Sequence, residues 1–534
     1  MSVITIDAMV VGAGVAGLYQ LHRLREAGLT VTCVDAAPDI GGTWHWNCYP
    51  GARLDSPSYT YQYWFSEDLY NEWEWSERFA AQPEIKRYFK YVANKLDLWP
   101  DIALNTRIAS AVWQEEQSVW HITSECGKTW HARYLISCMG MLSAPNAPLF
   151  PNQDAFTGTV LHTARWPQEG IDLSGKRVGV VGVGATGIQV IQTIAPDVEQ
   201  LYVFQRTPQY AVKMNNHPLT EKDHEFWRSQ YPTMRHSLHT TFGGFEWNVP
   251  EVGVAAAMTS EERLKVLEDC WQDGSLKMWV GTYPEVLADE AINAEASEFV
   301  RAKIRPRIND PAVADKLIPQ HYGFGTYRVP LETNYYDAFN RENVHLVDVK
   351  AHPIEAFTPH GLMVDGQEYA LDVLIFATGF DAGTGALSRL DIRGVNGQSL
   401  GELWQRDIRS TLGLQVHGFP NLFTVAGPLA PSTAFCNMTT CLQQQVDWIT
   451  DAILFMRAQG KSQMEASAEK EEEWIKHHDE VAESTLLMST NSWYTGANIE
   501  GKPRRLLSYV GGVGVYKEIC EDVRANDFEG FHIS

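Results

Sequence analysis

IDAMVVGAGVAGLYQLHRLREAG, residues 6 to 28, decides the fold. An apolar run ends in Gly12-Ala-Gly14-Val-Ala-Gly17 and passes at once into an amphipathic pattern, so strand, turn and helix follow in order, and LTVTCVD supplies a second strand. The first glycine permits the tight turn, the second lets a pyrophosphate approach the backbone, and the third lets helix and strand pack closely. The helix N-terminus then faces the anion. Asp35 lies 18 residues after Gly17, at the end of the second strand. A carboxylate there accepts hydrogen bonds from ribose hydroxyls and repels a 2′-phosphate, which favours FAD or NAD over NADP. The alternative is an aspartate that caps a turn.

Residues 177 to 206 repeat the unit as RVGVVGVG, ATGIQVIQTIA and LYVFQR, with a second cradle Gly182-Val-Gly184-Ala-Thr-Gly187. Here the place 19 residues after the third glycine carries Arg206. A guanidinium there pairs with a 2′-phosphate and points to NADP, and Thr207 adds a hydroxyl. The alternative is an exposed arginine at a strand end. One site that excludes phosphate and one that welcomes it imply FAD reduced by NADPH. ATGF, residues 377 to 380, is expected to end a buried strand and bring small residues close to the flavin.

At 534 residues the chain is too long for one core. With 44% hydrophobic and 20% charged residues, and no tract of about 18 apolar positions, it reads as soluble and globular. MSVITIDAMVVGAG has no basic n-region and no cleavage site, so a cytoplasmic protein is expected, with no membrane partner. The net charge of -23, without any Lys/Arg cluster, argues against nucleic acid. Eight scattered cysteines with no C-x-x-C pair predict free thiols and no metal. Cys436 and Cys441 have disulfide-reductase spacing, but on a helix five residues place them about 140° apart. Charged, helical stretches such as SEERLKVLEDCW and DEAINAEASEFVRAKI, between about 215 and 320, look like an insertion.

FTGTVLHTARWP, residues 156 to 167, lies between the two cradles. Its Phe156, Gly158, His162, Trp166 and Pro167 fill every position of the fingerprint F-x-G-x-x-x-H-x-x-x-W followed by Pro or Asp. With GGTWHWNCYPGARLD, TYRVPLETNYYDAFNRENV and SWYTGANIEGKPR, the chain resembles the type I Baeyer-Villiger monooxygenases of the flavin-containing monooxygenase superfamily, among them phenylacetone and cyclohexanone monooxygenases.

The resemblance implies an α/β fold of two dinucleotide-binding Rossmann-like domains with a helical insertion. It divides the chain into an FAD-binding domain (1–145 and 381–534), an NADP-binding domain (146–215 and 326–380) and the insertion (216–325). It implies that a small apolar ketone, O2 and NADPH give an ester or lactone through a flavin C4a-peroxide, with sulfoxidation as a side activity and a monomeric or weakly oligomeric protein. Arg328 takes the place of the catalytic arginine, a fixed cation for a developing anion, and Asp55 holds it. An ion pair of Arg328 with Glu332 or another acid and an Asp55 helix cap are the structural alternatives.

By the same resemblance Gly12, Gly14, Ala16, Gly17, Asp35, Thr43, Trp44, Trp46, Arg53, Asp55, Tyr61, Ile108 and Met438 serve FAD. Gly182, Gly184, Thr186, Gly187, Gln189, Arg206, Thr207, Arg328 and Trp493 serve NADP. Tyr327 stands where the family has a lysine that grips the 2′-phosphate, which leaves Arg206 more nearly alone. PLAPSTAFCNM, residues 428 to 438, falls where the family lines its substrate pocket. His162 either bonds across the domain junction or is a buried histidine satisfied by a carbonyl. An N-hydroxylating flavoenzyme, a disulfide reductase and a non-catalytic redox sensor are the rival readings.

Overall fold

The computed structural model describes residues 3–433 and 435–534, so Met1 and Ser2 of the opening and Ala434 of the 428–438 stretch lie outside the described residues. Strand Ile4–Val11, helix Val15–Glu26 and strand Val31–Val34 form where the glycine pattern puts them. Leu18, Leu21 and Leu24, at helical spacing, are fully buried against the strand residues Ala8 and Val10.

These elements enter an eight-stranded sheet in which Ile4–Val11 pairs in parallel with Val31–Val34 on one side and Thr129–Ser137 on the other. An antiparallel run, Ile108–Gln114 and Val119–Ser124, extends it. Ile102–Ala103 beside Val31–Val34 and two strands from far along the chain complete it, Asp391–Arg393 beside Ile108–Gln114 and Leu422–Thr424 beside Thr129–Ser137.

A second sheet is all parallel, in the order Val344–Asp348, Gln200–Gln205, Arg177–Val181, Val373–Phe376, Thr159–His162. Its inner strand Val373–Phe376 is an unbroken buried run, as expected of a strand covered on both faces. Helix Ala185–Ile194 follows the second glycine turn.

The stretch between the second cradle's unit and Tyr327 is helical. Helix Glu221–Thr240 starts at a reciprocal Thr220/Asp223 box, Ser260–Asp273 at Thr259/Glu262, and Glu290–Ile304 at Asp289, whose side chain accepts from Ala291 and Ile292 N–H groups. Among the described residues no helix is long and apolar enough to cross a membrane.

The glycine turns are forced by contact. Gly12 sits at φ +109°, and a Cβ there would stand 2.4 Å from the Cys138 carbonyl oxygen; at Gly17 it would stand 1.7 Å from the Gly12 carbonyl oxygen. The second cradle repeats this, Gly182 against the Ala377 carbonyl and Gly187 against Gly182. Ala377-Thr378-Gly379 therefore meets the second cradle, not the flavin cradle as the sequence suggested, because its strand belongs to the second sheet. Only Phe380 of that stretch reaches the cavity described below.

Gly12→Ala combines left-handed strain with a backbone clash and is expected to cost roughly 2–4 kcal/mol and to prevent retention of FAD. Gly28→Ala, at φ +73° with nothing within 4 Å of the added Cβ, should cost only about 1 kcal/mol. Denaturant unfolding of both variants checks this, and equal losses would contradict it.

Candidate active site

One cavity of about 860 Å³ runs from the first glycine turn to helix Ala185–Ile194 of the second unit, at the upper end of the range for small-molecule sites. Gly12, Gly14, Ala16, Asp35, Thr43, Trp44, Trp46, Arg53, Asp55, Tyr61, Ile108 and Met438 all line it, and so do Gln189 and Arg328. The first glycine turn, open only because Cβ atoms are missing, and the N-terminal end of helix Val15–Glu26 form its floor. These residues fit a dinucleotide: backbone can meet a diphosphate at Gly14, and a carboxylate stands one strand away.

That carboxylate, Asp35, is fixed on both oxygens: Oδ2 accepts the Ala13 N–H at 2.7 Å and Oδ1 the Ala37 N–H at 2.8 Å. It thus braces the glycine turn and caps its own turn while facing the cavity, and burial raises its pKa. The Trp44 indole N–H donates to the Tyr61 hydroxyl at 3.0 Å, so these two aromatics hold one another in the wall. Trp46 carries the Arg165 guanidinium over its ring at 4.4 Å.

Arg328 Nη2 donates to Asp55 Oδ2 at 2.8 Å. The pair joins segments 273 residues apart, and the guanidinium also lies over the Trp279 ring at 5.1 Å from its centroid. Asp55 is pulled two ways: burial raises its pKa, and the Arg328 charge lowers it. Of the structural alternatives, the Arg328 ion pair is made with Asp55 and not with Glu332, and the Asp55 helix cap is not made. Glu332, fully buried, pairs with Arg307, and the short helix Ser58–Thr60 has Pro57, not Asp55, at its cap position.

The residues assigned to NADP divide. Gln189 faces the cavity, whereas Gly182, Gly184, Thr186 and Gly187 form the second turn outside its lining. Arg206 is exposed and Thr207 half-buried, just past the C-terminal end of strand Gln200–Gln205, the edge at which such sheets take ligands. Tyr327 lies near Arg206, and its hydroxyl donates to the Asn491 carbonyl at 2.8 Å. Trp493 is half-buried and packs on the second core without lining the cavity, while its neighbour Tyr494 is buried beside Arg328.

His162 bonds across the junction: Nε2 meets the Asn146 carbonyl at 3.2 Å and the Thr378 hydroxyl at 3.4 Å, while Nδ1 accepts the Ala164 N–H. Both readings of this residue hold at once, since the carbonyl that satisfies it belongs to the chain crossing between sheets. Burial lowers its pKa, which favours the neutral ring.

Several lining residues had no sequence signal. Phe245, Leu276, Trp279 and Val280 come from the helical stretch that read as a mere insertion, and Tyr49 from the loop before Asp55. The expectation of free thiols fails at one pair, since Cys436 and Cys441 form a disulfide. Cys436 precedes the helix that begins at Met438, so the helical angle between the two does not apply.

A Flavin-binding monooxygenase-like family model matches residues 6–218. The chain is 54% identical to an acetone monooxygenase (methyl acetate-forming) of Gordonia sp. strain TY-5 over 100% of both chains. It is 38% identical to a cyclohexanone 1,2-monooxygenase of Acinetobacter sp., covering 99% of this chain and 96% of the relative. A solved OTEMO complex with FAD and NADP superposes with a TM-score of 0.95 at 38% identity over 100% of both chains.

Beside Phe245, burial pushes Glu246 up to about 7, and its Oε2 has no hydrogen-bond partner. A carboxyl raised on folding contributes stability below its ordinary value, and that contribution is lost as pH rises through the folded value. Glu246→Gln should therefore gain on wild type between pH 5 and 8.5, by roughly 1–3 kcal/mol. Unfolding curves at both pH values test this; a difference independent of pH would contradict it.

Proposed function

Since the chain belongs to the type I Baeyer-Villiger monooxygenases, we propose that it oxidises small, compact ketones with O2 at the cavity wall formed by Arg328 and Asp55. It is an NADPH-dependent FAD enzyme that inserts one oxygen atom beside a ketone carbonyl to give an ester or lactone. The observation that carries the site is the Arg328–Asp55 contact of 2.8 Å in the same cavity as the first glycine turn.

FAD, reduced by NADPH, supplies the activated oxygen. The protein's part is electrostatic and steric. Arg328 presents its guanidinium donors to negative charge as it develops on the ketone oxygen. Asp55 fixes the guanidinium plane and offsets the cost of burying it, leaving the remaining N–H groups free for the substrate. The aromatic wall keeps water from the reacting atoms. Gly182, Gly184, Thr186, Gly187, Gln189, Arg206, Thr207 and Trp493 are assigned to NADP, with Arg206 at the 2′-phosphate. Residues 1–145 with 381–534 form the FAD domain and residues 146–215 with 326–380 the NADP domain; the strand membership of the two sheets supports this division.

Substrate size follows from the wall. Trp279, tied by its indole N–H to the Gly325 carbonyl at 3.2 Å, stands 5.3 Å from the Phe435 ring, which stands 5.2 Å from Tyr494. Interlocked rings beside Arg328 leave little freedom to admit a bulky ketone. The acetone-oxidising relative points the same way.

Arg328→Ala should leave FAD bound and lower ester formation by at least about 1,000-fold, as for loss of an oxyanion donor; product analysis by mass under air decides, and wild-type ester yield would reject the role. In a ketone panel with NADPH, acyclic ketones of three to five carbons should exceed cyclohexanone about tenfold in kcat/KM, and Trp279→Ala should narrow that ratio. A wild-type preference for cyclohexanone would overturn the size reading.

A further inference from the structure

The loop Tyr49–Arg53 lies on the helix of the second cradle, and three contacts define how. The Tyr49 hydroxyl donates to Gln189 Oε1 at 2.9 Å, and the Gln189 amide returns a bond to the Arg53 carbonyl at 3.3 Å. Gly51, at φ +84°, presses so closely that a Cβ would stand 2.2 Å from Thr193 Oγ1 and 2.6 Å from the Gln189 carbonyl. The Thr186 side chain also lies beside the Tyr49 phenol. Two residues on, Asp55 takes up Arg328.

We propose that Tyr49 is a positioning residue for the oxidation. Its hydroxyl reads the state of the NADP-domain helix through Gln189 and passes it along Tyr49–Asp55 to the carboxylate that orients Arg328. This rests on the reading of Arg328 and of the second cradle given above. Gln189 and Thr186 lie on the first two turns of helix Ala185–Ile194, where a dinucleotide's diphosphate meets the backbone. A nucleotide that engages either side chain redirects the group to which Tyr49 is bonded. The loop is tied to this helix by the Tyr49–Gln189 and Gln189–Arg53 bonds, and at Gly51 it has no room to move closer. Burial, with the Asp55 charge adding to it, raises the Tyr49 pKa, so the phenol remains a donor throughout the working pH range.

Tyr49→Phe keeps the ring and removes only the hydroxyl, so the holoenzyme is expected to retain FAD. Three measurements on it then test the proposal. NADP+ affinity, from titration of the purified FAD-bound protein without ketone, should fall about five- to tenfold. The fraction of NADPH consumed that appears as H2O2 should rise several-fold, with kcat changing less than coupling. NADP+ should slow amide hydrogen exchange over residues 49–55 in wild type and lose that effect in the variant. NADP+ affinity within twofold of wild type, together with unchanged H2O2 release and unchanged protection of the loop, overturns the proposal. A variant that is only less heat-stable, with those readouts intact, overturns it equally. The titration and exchange measurements need no substrate, so a wild type that yields no ester from any ketone would count against the proposed function and leave this test standing.

Discussion

A buried carboxylate held 2.8 Å from an arginine that arrives from the far side of the cavity is the constraint around which the site is arranged. Neither charge is tolerable alone in that place: removing one partner leaves the other buried and uncompensated. The two segments that carry them must therefore be brought into register, and this requires both sheets. Asp55 lies past strand Val31–Val34, in the stretch that packs back on the first glycine turn at Gly42, whereas Arg328 precedes Leu331–Glu332, which pairs with Val212–Lys213 just beyond the second nucleotide unit. The Arg328–Asp55 pair thus depends on how the two nucleotide units face one another. The cavity they share is the space left when the pair is satisfied.

Both glycine turns solve the same steric problem by the same means, and this explains why they were legible. A turn in which a Cβ would meet a neighbouring strand's carbonyl admits glycine alone, so the backbone requirement is written directly in residue types. Asp35 and Arg206 are legible for a related reason, because strand and helix lengths fix where the second strand ends. The capped helices from 221 to 304 follow from local signals too, Thr220/Asp223 and Thr259/Glu262 among them.

What was not legible depends on contacts between distant segments. Trp279 and Phe245 reach the cavity because the helical stretch folds back over it, and nothing in their local pattern separates them from core aromatics. Ala377 was assigned to the flavin side, yet its strand pairs with Arg177–Val181 and Thr159–His162, which delivers it to the other cradle. The Cys436–Cys441 disulfide was missed because the 100° helical rule was extended one turn before the helix begins. Arg328 and Asp55 were found only through family likeness, since no spacing argument connects residues so far apart.

The fingerprint around His162 gains its meaning from a place where the chain crosses twice. It leaves the first sheet after Ser137 and returns beyond Phe376, and the two crossings are bonded to each other: Pro145 bridges Phe380, and the Asn146 N–H donates to the Gly379 carbonyl at 2.9 Å. His162, at the end of an edge strand of the second sheet, bonds the Asn146 carbonyl, and the Thr378 hydroxyl donates to that same carbonyl. Two antiparallel crossings locked side by side resist sliding along their length and stretching apart, but they permit rotation about their common axis. The junction therefore constrains how the two units can move relative to one another. A neutral imidazole suits this place, because one nitrogen can accept the Ala164 N–H while the other donates, and protonation would cost it the first bond.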